Sequence, residues 1–164
     1  MPVLDLPDSP YTLVWKQTLE ILRSDPGLAR LNPTWIVPDG SKSPNPLQCA
    51  MPVIELDPYM GGMGWFDPSA QSGFLTVGIR TYIKTYDSAD PFNLFAAIVR
   101  AFFPKNEPAR QNDIRLQLIR AGATDTGQYE FSFPPTQPDP RWDDEGLKVC
   151  AGQMRISIVH TINP

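Results

Sequence analysis

Few residues in this chain belong to types and spacings that could do chemistry. His160 is the single histidine, and the two cysteines, Cys49 and Cys150, are far apart in the sequence. Nucleophilic catalysis needs a nucleophile, a base and a third group that orients the base. The sequence pattern contains no such set. We therefore predict that the protein is not an enzyme, and that its thiols are reduced in a cytoplasmic setting.

Two further segments suggest a ligand but lack the pattern for one. Gly61-Gly62-Met63-Gly64 is rich in glycine, but the Lys-Ser/Thr pair that ends a phosphate-binding loop is missing. The acidic residues between 139 and 145 do not have the spacing of a calcium-binding loop. They are typical of a solvated loop, so we expect no cofactor and no bound metal.

Composition sets limits on the fold and on the partners. The length of 164 residues fits a single domain spanning 1–164. The chain has 19 prolines, where ordinary usage of ~5% would give about 8, which predicts many loops and few long helices. A net charge of −4 argues against a nucleic-acid-binding face. Neither a signal peptide nor a membrane-spanning run is visible, so we expect a soluble protein made in the cytoplasm.

Two helices are predicted from their start signals and periodicity. Ser9-Pro10 and Asp90-Pro91 each place a capping residue before a proline suited to the first helical turn. The first helix, 10–23, has one apolar side and is predicted to cover a sheet. The second helix, 92–103, is apolar nearly all round, with Phe92, Phe95, Val99 and Phe102 in one stripe and Leu94, Ile98 and Ala101 in another. A helix with two apolar sides needs a second partner, which we expect to be another copy.

Alternation of apolar and polar residues predicts most of the strands. They lie at 53–56, 74–86, 114–118, 129–133 and 149–162, and a short apolar run predicts another at 35–37. Loops are predicted at 38–52, 57–72 and 134–140. We therefore predict an α+β fold: a mainly antiparallel sheet of four to six strands, two helices packed on one face, and long Pro-rich loops.

Contact residues for a partner are predicted in the second helix and in the 57–72 loop. Met, Trp and Phe are typical of binding surfaces when they are exposed. The candidates are Phe92, Phe95, Phe102 and Phe103 of the helix and Met60, Met63, Trp65 and Phe66 of the loop.

Taken in order, these segments resemble the tail terminator and tail-completion (neck) proteins of long-tailed bacteriophages. The resemblance rests on the helix at 10–23, the strand at 52–56 before a long loop, the strand at 73–86, the helix opened by Asp90-Pro91-Phe92, and the closing strand at 152–159. The chain departs from the family pattern in its proline content and in the acidic segment 134–146.

The resemblance implies a structural virion protein that forms a homo-oligomeric ring, commonly a hexamer. Such a ring caps the tail tube, contacts the neck or connector proteins on its other side, and lets DNA pass through its channel. It implies no enzymatic activity, no membrane and no small-molecule substrate. Two alternatives stay open: another phage ring component, such as a head-completion or baseplate protein, and a small enzyme or binding module with a site near His160, Cys49 or the 57–72 loop.

Overall fold

The computed structural model describes residues 6–67, 70–124, 129–132 and 146–161, and the side chains of 6–59, 73–124 and 146–158. Within them lie four α-helices and five strands. The helices are α1 (Pro10–Ser24), α2 (Pro26–Leu31), α3 (Asp90–Phe102) and α4 (Pro108–Ala121). The strands are β1 (Thr34–Ile36), β2 (Val53–Asp67), β3 (Ala70–Lys84), β4 (Tyr129–Ser132) and β5 (Leu147–Thr161). A short 3-10 turn, Pro46–Gln48, lies between β1 and β2.

The strands form one sheet in the order β1-β2-β3-β5-β4. β1 runs parallel to β2, and the other neighbours are antiparallel. β3 and β5 pair without interruption from Ala70 opposite Thr161 to Lys84 opposite Leu147. The predicted α+β class and the mainly antiparallel sheet are therefore confirmed, but the prediction of two helices is wrong, because four helices lie within the described residues.

Helix α1 forms where its start signal and its period predicted it. The Ser9 hydroxyl accepts a hydrogen bond from the Thr12 N–H at 3.2 Å, and Pro10 occupies the first turn. Such a cap satisfies an N–H group that the helix itself leaves without a partner. Val14, Ile21 and Leu22 are buried on one side, so α1 is the ordinary amphipathic helix that the sequence indicated.

The main core lies between the helices and one face of the sheet. Leu75 of β3 stands opposite Ile156 of β5, and Val77 stands opposite Met154, so all four side chains share this face. They are buried in one cluster with residues of all four helices. Burying each such side chain contributes roughly 1.5–3 kcal/mol. The alternation predicted for these two strands is confirmed here.

A second, smaller core covers one end of the opposite face. Ile36, Val53, Tyr82 and Leu147 are buried together, with Cys49 and Met51 packed against them. The segment between β1 and β2 thus folds over the sheet end. Tyr82 was predicted to lie on a solvent-exposed face with Arg80 and Lys84. That prediction is wrong, because the segment between β1 and β2 covers the Tyr82 side chain.

The predicted strand at 114–118 is wrong, because these residues belong to helix α4. Pro108 lies in the first turn of α4, and Gly122 ends the helix at a φ of 125°, which suits glycine. Ile114 and Leu118 are buried, and a spacing of four places both on one side of a helix. Over so few residues, apolar side chains at 114, 116 and 118 also match the alternation of a strand. For this reason the sequence pattern predicted the wrong element.

The predicted loop at 57–72 is also wrong, because β2 and β3 form a long hairpin there. β2 continues to Asp67, and β3 begins at Ala70. The pairing shifts register between Gly61 and Gly64, and a bulge of this kind, with its glycines, hides the alternation of a strand. At about 3.4 Å per residue, Asp67 lies roughly 37 Å along β2 from the buried Leu56.

The carboxylate of Asp25 joins three helices. It caps α2, where Oδ2 accepts from the Leu28 N–H at 2.9 Å, and Oδ1 accepts from Arg110 Nη2 of α4 at 2.9 Å. Asp25 is also the residue that ends α1. The side chain is nearly buried, so losing it leaves both donors without this acceptor.

We predict that Asp25→Ala lowers the free energy of unfolding by about 1–3 kcal/mol, because it removes both the cap and the ion pair. Asp25→Asn is the matched control, since its amide oxygen still accepts from Leu28. Urea denaturation of both variants measures the difference. An equal loss in the two variants would contradict a role for the cap.

Candidate functional site

Helix α3 buries one broad side in the core. The side chains of Phe95 and Phe102 are only 2% and 1% exposed, and Leu94, Ile98 and Ala101 are buried with them. The sequence had placed Phe95 and Phe102 in a partner interface, and that prediction is wrong. The buried residues of the two predicted stripes form one wide face, because Ile98 lies three or four positions from each of 94, 95, 101 and 102, whereas Phe92 of the first stripe is exposed.

The outer side of α3 carries a second apolar stripe. Phe92 is 71% exposed and Phe103 is 36% exposed, with the half-buried Ala96 and Val99 between them. The spacings of four, three and four positions are those of a coiled-coil contact, so these four residues lie on one side of the helix. We call Phe92, Ala96, Val99 and Phe103 the α3 seam. Phe103 ends the helix with its N–H still donating to the Val99 carbonyl at 3.1 Å.

The other predicted contact residues lie in β2 and not in a loop. Met60, Met63, Trp65 and Phe66 all fall within Val53–Asp67, and their side chains lie outside the described residues. His160 lies in β5, where its backbone pairs with Gln71. Its side chain is also outside the described residues, so the predicted absence of a role for it stays a prediction.

The sheet face opposite the helices carries polar side chains that contact one another. Arg80 Nη1 donates to Glu55 Oε1 at 3.3 Å, and the Tyr59 hydroxyl donates to Gln153 Oε1 at 3.2 Å. A hydrogen bond to Tyr82 raises the pKa of the Arg80 guanidinium. Burial raises the pKa of the Tyr82 phenol. Both groups therefore keep their ordinary charge states at neutral pH.

The same face carries one cation–π contact. The Arg155 guanidinium carbon lies 4.2 Å from the centre of the Phe74 ring. This separation is within the ~6 Å over which a ring attracts a guanidinium. The contact and the hydrogen bonds above tie β2, β3 and β5 together, which makes this a polar surface held in one arrangement.

Two depressions lie in the described surface, and some of the polar side chains that line each of them already have partners. One, of about 240 Å³, lies beside Glu55, Asp57 and Ser43 at the edge of β2, and Glu55 already pairs with Arg80. The other, of about 490 Å³, lies between α1 and α4. Across it Gln17 donates to Gln117 at 3.1 Å, and Lys16 is bound to Asp8. The first places the Ser43 hydroxyl near two carboxylates, and no hydrogen bond joins it to either of them among the described residues.

Metal-binding side chains do not converge in the part of the chain that the structure describes. There, no group of three or more His, Cys, Asp or Glu residues could hold an ion. Cys49 and Cys150 are free thiols, and burial raises the pKa of the Cys150 thiol. Within the described ranges, every helix is also too short or too polar to cross a bilayer.

Sequence reasoning found the two ends of the α3 seam and missed its middle. Phe92 and Phe103 were predicted contact residues, whereas Ala96 was not singled out and Val99 was grouped with buried neighbours. The signal was the spacing of the four apolar seam residues, which follow one another at intervals of four, three and four positions. Two apolar sides on one helix could not be separated, however, without knowing which side the sheet covers.

No protein-family model matches this chain, and no curated protein matches it.

We predict that Phe95→Ala lowers the free energy of unfolding by about 3–5 kcal/mol, because it leaves a cavity in the core. Phe92→Ala is the matched control on the same helix and should change stability by less than about 0.5 kcal/mol. Chemical denaturation at low protein concentration makes the measurement. Similar losses for both variants would contradict the assignment of the two sides of α3.

We expect Cys150 to react with iodoacetamide more slowly in the folded protein than in urea at the same pH. The raised pKa leaves less thiolate at pH 8, and thiolate is the reacting form. The rate in the folded protein should therefore rise as the pH increases from 8 to 10. Peptide mapping by mass spectrometry follows the site, with Cys150→Ser as its control. Equal folded and unfolded rates at pH 8 would refute this expectation.

Proposed function

We propose that this protein is a structural component of a tailed-phage virion: the tail terminator, a homo-oligomeric ring that caps the tail tube and joins it to the neck. In this proposal its partners are other copies of itself, the tail tube protein and the neck or connector proteins. It has no catalytic role, and DNA only passes through its channel. The ring has six copies if it follows the family that the sequence resembles.

The observation that carries the proposal is the long edge of β2. β1 pairs only with Val53–Glu55, and among the described residues nothing pairs with the outer edge of β2 from Leu56 to Asp67. An edge strand of this length exposes a row of backbone donors and acceptors. A neighbouring strand from another copy would satisfy them.

The sheet has two different outer edges, which a head-to-tail contact between copies can use. The outer edge of β2 lies at one side of the sheet, and β4 lies at the other side. Joining one side of a copy to the opposite side of the next is a head-to-tail contact, and such contacts close into rings when the rotation allows it. In this proposal, the β2–β3 hairpin extends far enough from the core to contact the neighbouring copy.

The direct experiment is a native mass measurement combined with negative-stain electron microscopy of the purified chain. We expect one closed oligomer with a central channel. A mixture of open chains of many lengths, or a monomer at every concentration tested, would contradict a ring that forms by itself. Binding of the ring to purified tail tubes would then distinguish a tail terminator from a head-completion or baseplate ring.

We predict that shortening the hairpin weakens the ring while leaving the fold intact, because it shortens the unpaired edge of β2. Residues 65–71 are replaced by Asn-Gly, which joins the Gly64–Ser72 pair through a tight turn. The melting temperature should change little, since the replaced segment lies beyond the buried core positions of β2 and β3. The particle mass should fall to that of a smaller species.

The matched control keeps the full hairpin and changes only Trp65→Ser and Phe66→Ser. If backbone pairing at the edge carries assembly, this control still forms the ring. Loss of the ring in the control would assign the contact to the two side chains. Unfolding of the shortened chain would show that the tip belongs to the core.

A further inference from the structure

Asp39-Gly40 is the one Asp-Gly pair in the chain, and it lies in the segment between β1 and β2. Asp39, Gly40 and Ser41 are all exposed. We propose that Asp39 converts spontaneously to isoaspartate as the protein ages, and that Ser41 slows this conversion. The conversion takes place within one copy, so it does not depend on the proposed function or on any contact between copies.

The reaction uses two neighbouring groups of the chain and no reagent other than water. The Gly40 amide nitrogen attacks the side-chain carboxyl carbon of Asp39, and a nitrogen–carbon bond forms. The carboxyl hydroxyl leaves with the amide proton as water, and a five-membered succinimide ring remains. Water then adds to the main-chain carbonyl of the ring and breaks its bond to nitrogen. The chain now runs through the former side-chain carbon, with the mass and the net charge unchanged.

Gly40 offers little resistance to the ring closure. It has no side chain to crowd the attacking nitrogen, and its φ is 87°. Apart from its chain neighbours, no described atom lies within 4 Å of the position that a Cβ would take. Glycine also reaches a wider range of backbone angles than other residues, and ring closure requires the main chain beside the nitrogen to rotate. The surroundings of Gly40 leave room for this rotation.

Asp87-Ser88 is a matched pair in a second exposed turn of the same chain. Asp87 Oδ1 accepts from the Ala89 N–H at 2.8 Å, just as Asp39 Oδ1 accepts from the Ser41 N–H at 2.9 Å. The residue after Asp87 carries a side chain, however, and the Asp87 N–H donates to the Thr85 hydroxyl at 3.0 Å. Both features oppose rotation of the main chain there, so we expect isoaspartate to form more slowly at position 87.

The Ser41 side chain restrains the reacting carboxyl group. Its hydroxyl donates to Asp39 Oδ1, which also accepts from the Ser41 N–H. These two hydrogen bonds, the one from the hydroxyl first, lower the pKa of Asp39. The reaction releases the carboxyl hydroxyl as water, so it proceeds through the neutral carboxyl, and a lower pKa leaves less of that form at neutral pH. Ser41 thereby slows the reaction that Gly40 permits.

The experiment incubates the purified chain at physiological temperature and neutral pH and maps its tryptic peptides over time. Trypsin releases residues 31–42, in which Asp39 is the single aspartate, and residues 85–100, which contain Asp87 and Asp90. Asp90 precedes a proline, whose nitrogen has no hydrogen to lose, so the second peptide reports on Asp87. Chromatography separates the isomers at equal mass, and electron-transfer fragmentation identifies the isoaspartyl linkage. We expect the isomer to accumulate in peptide 31–42 faster than in peptide 85–100.

Two variants at exposed positions, checked for folding by melting temperature, test the two parts of the proposal. Asp39→Glu keeps the charge but would need a six-membered ring, so the isomer in peptide 31–42 should be lost. Ser41→Ala should raise the rate at Asp39 and leave the rate at Asp87 unchanged. The absence of the isomer at Asp39, or equal rates at Asp39 and Asp87, would overturn the assignment of the site. A Ser41→Ala rate no higher than that of the wild type would overturn the role of Ser41.

Discussion

The antiparallel pairing of β3 with β5 is the interaction on which the rest of this structure depends. It runs without a register shift from Ala70 opposite Thr161 to Lys84 opposite Leu147. A slip of one residue would move Leu75 and Val77 from the helix side to the other face. The pairing therefore fixes which side chains form the main core. β2 and β4 then pair with β3 and β5 and extend the same two sheet faces.

Because the helices cover one face only, the two sides of α3 have different roles. Phe95 and Phe102 fill the core that holds the helix against the sheet, whereas Phe92 and Phe103 are left at the surface. Large exposed aromatic side chains on one helix side are typical of a contact surface. Substitutions a few positions apart on α3 should therefore differ in their effect on folding.

The opposite face of the sheet has a different character. Its small core under the 38–52 segment is apolar, and the rest is a polar surface in which Glu55, Arg80, Tyr59 and Gln153 bond to one another. Charged groups that are already paired with each other are poorly placed to activate a substrate. The polar part of this face is therefore made of side chains that contact one another.

The elements that could be predicted before the structure are those whose signals are local. Ser9-Pro10 and Asp90-Pro91 start helices near the predicted positions, and the alternation around Met154, Ile156 and Ile158 predicts a strand with one buried face. Ser9 caps its helix as predicted, whereas Asp90 lies within the first turn of α3 and accepts from the Thr85 hydroxyl, so its predicted role as the cap is wrong. The helix at 108–121, the burial of Tyr82 and the inward side of α3 depend on partners distant in the chain, which are a sheet face or a covering segment. The hairpin through 57–72 pairs neighbouring strands, and its bulge and glycines hide the alternation. Short apolar runs fit more than one secondary structure until that partner is in place.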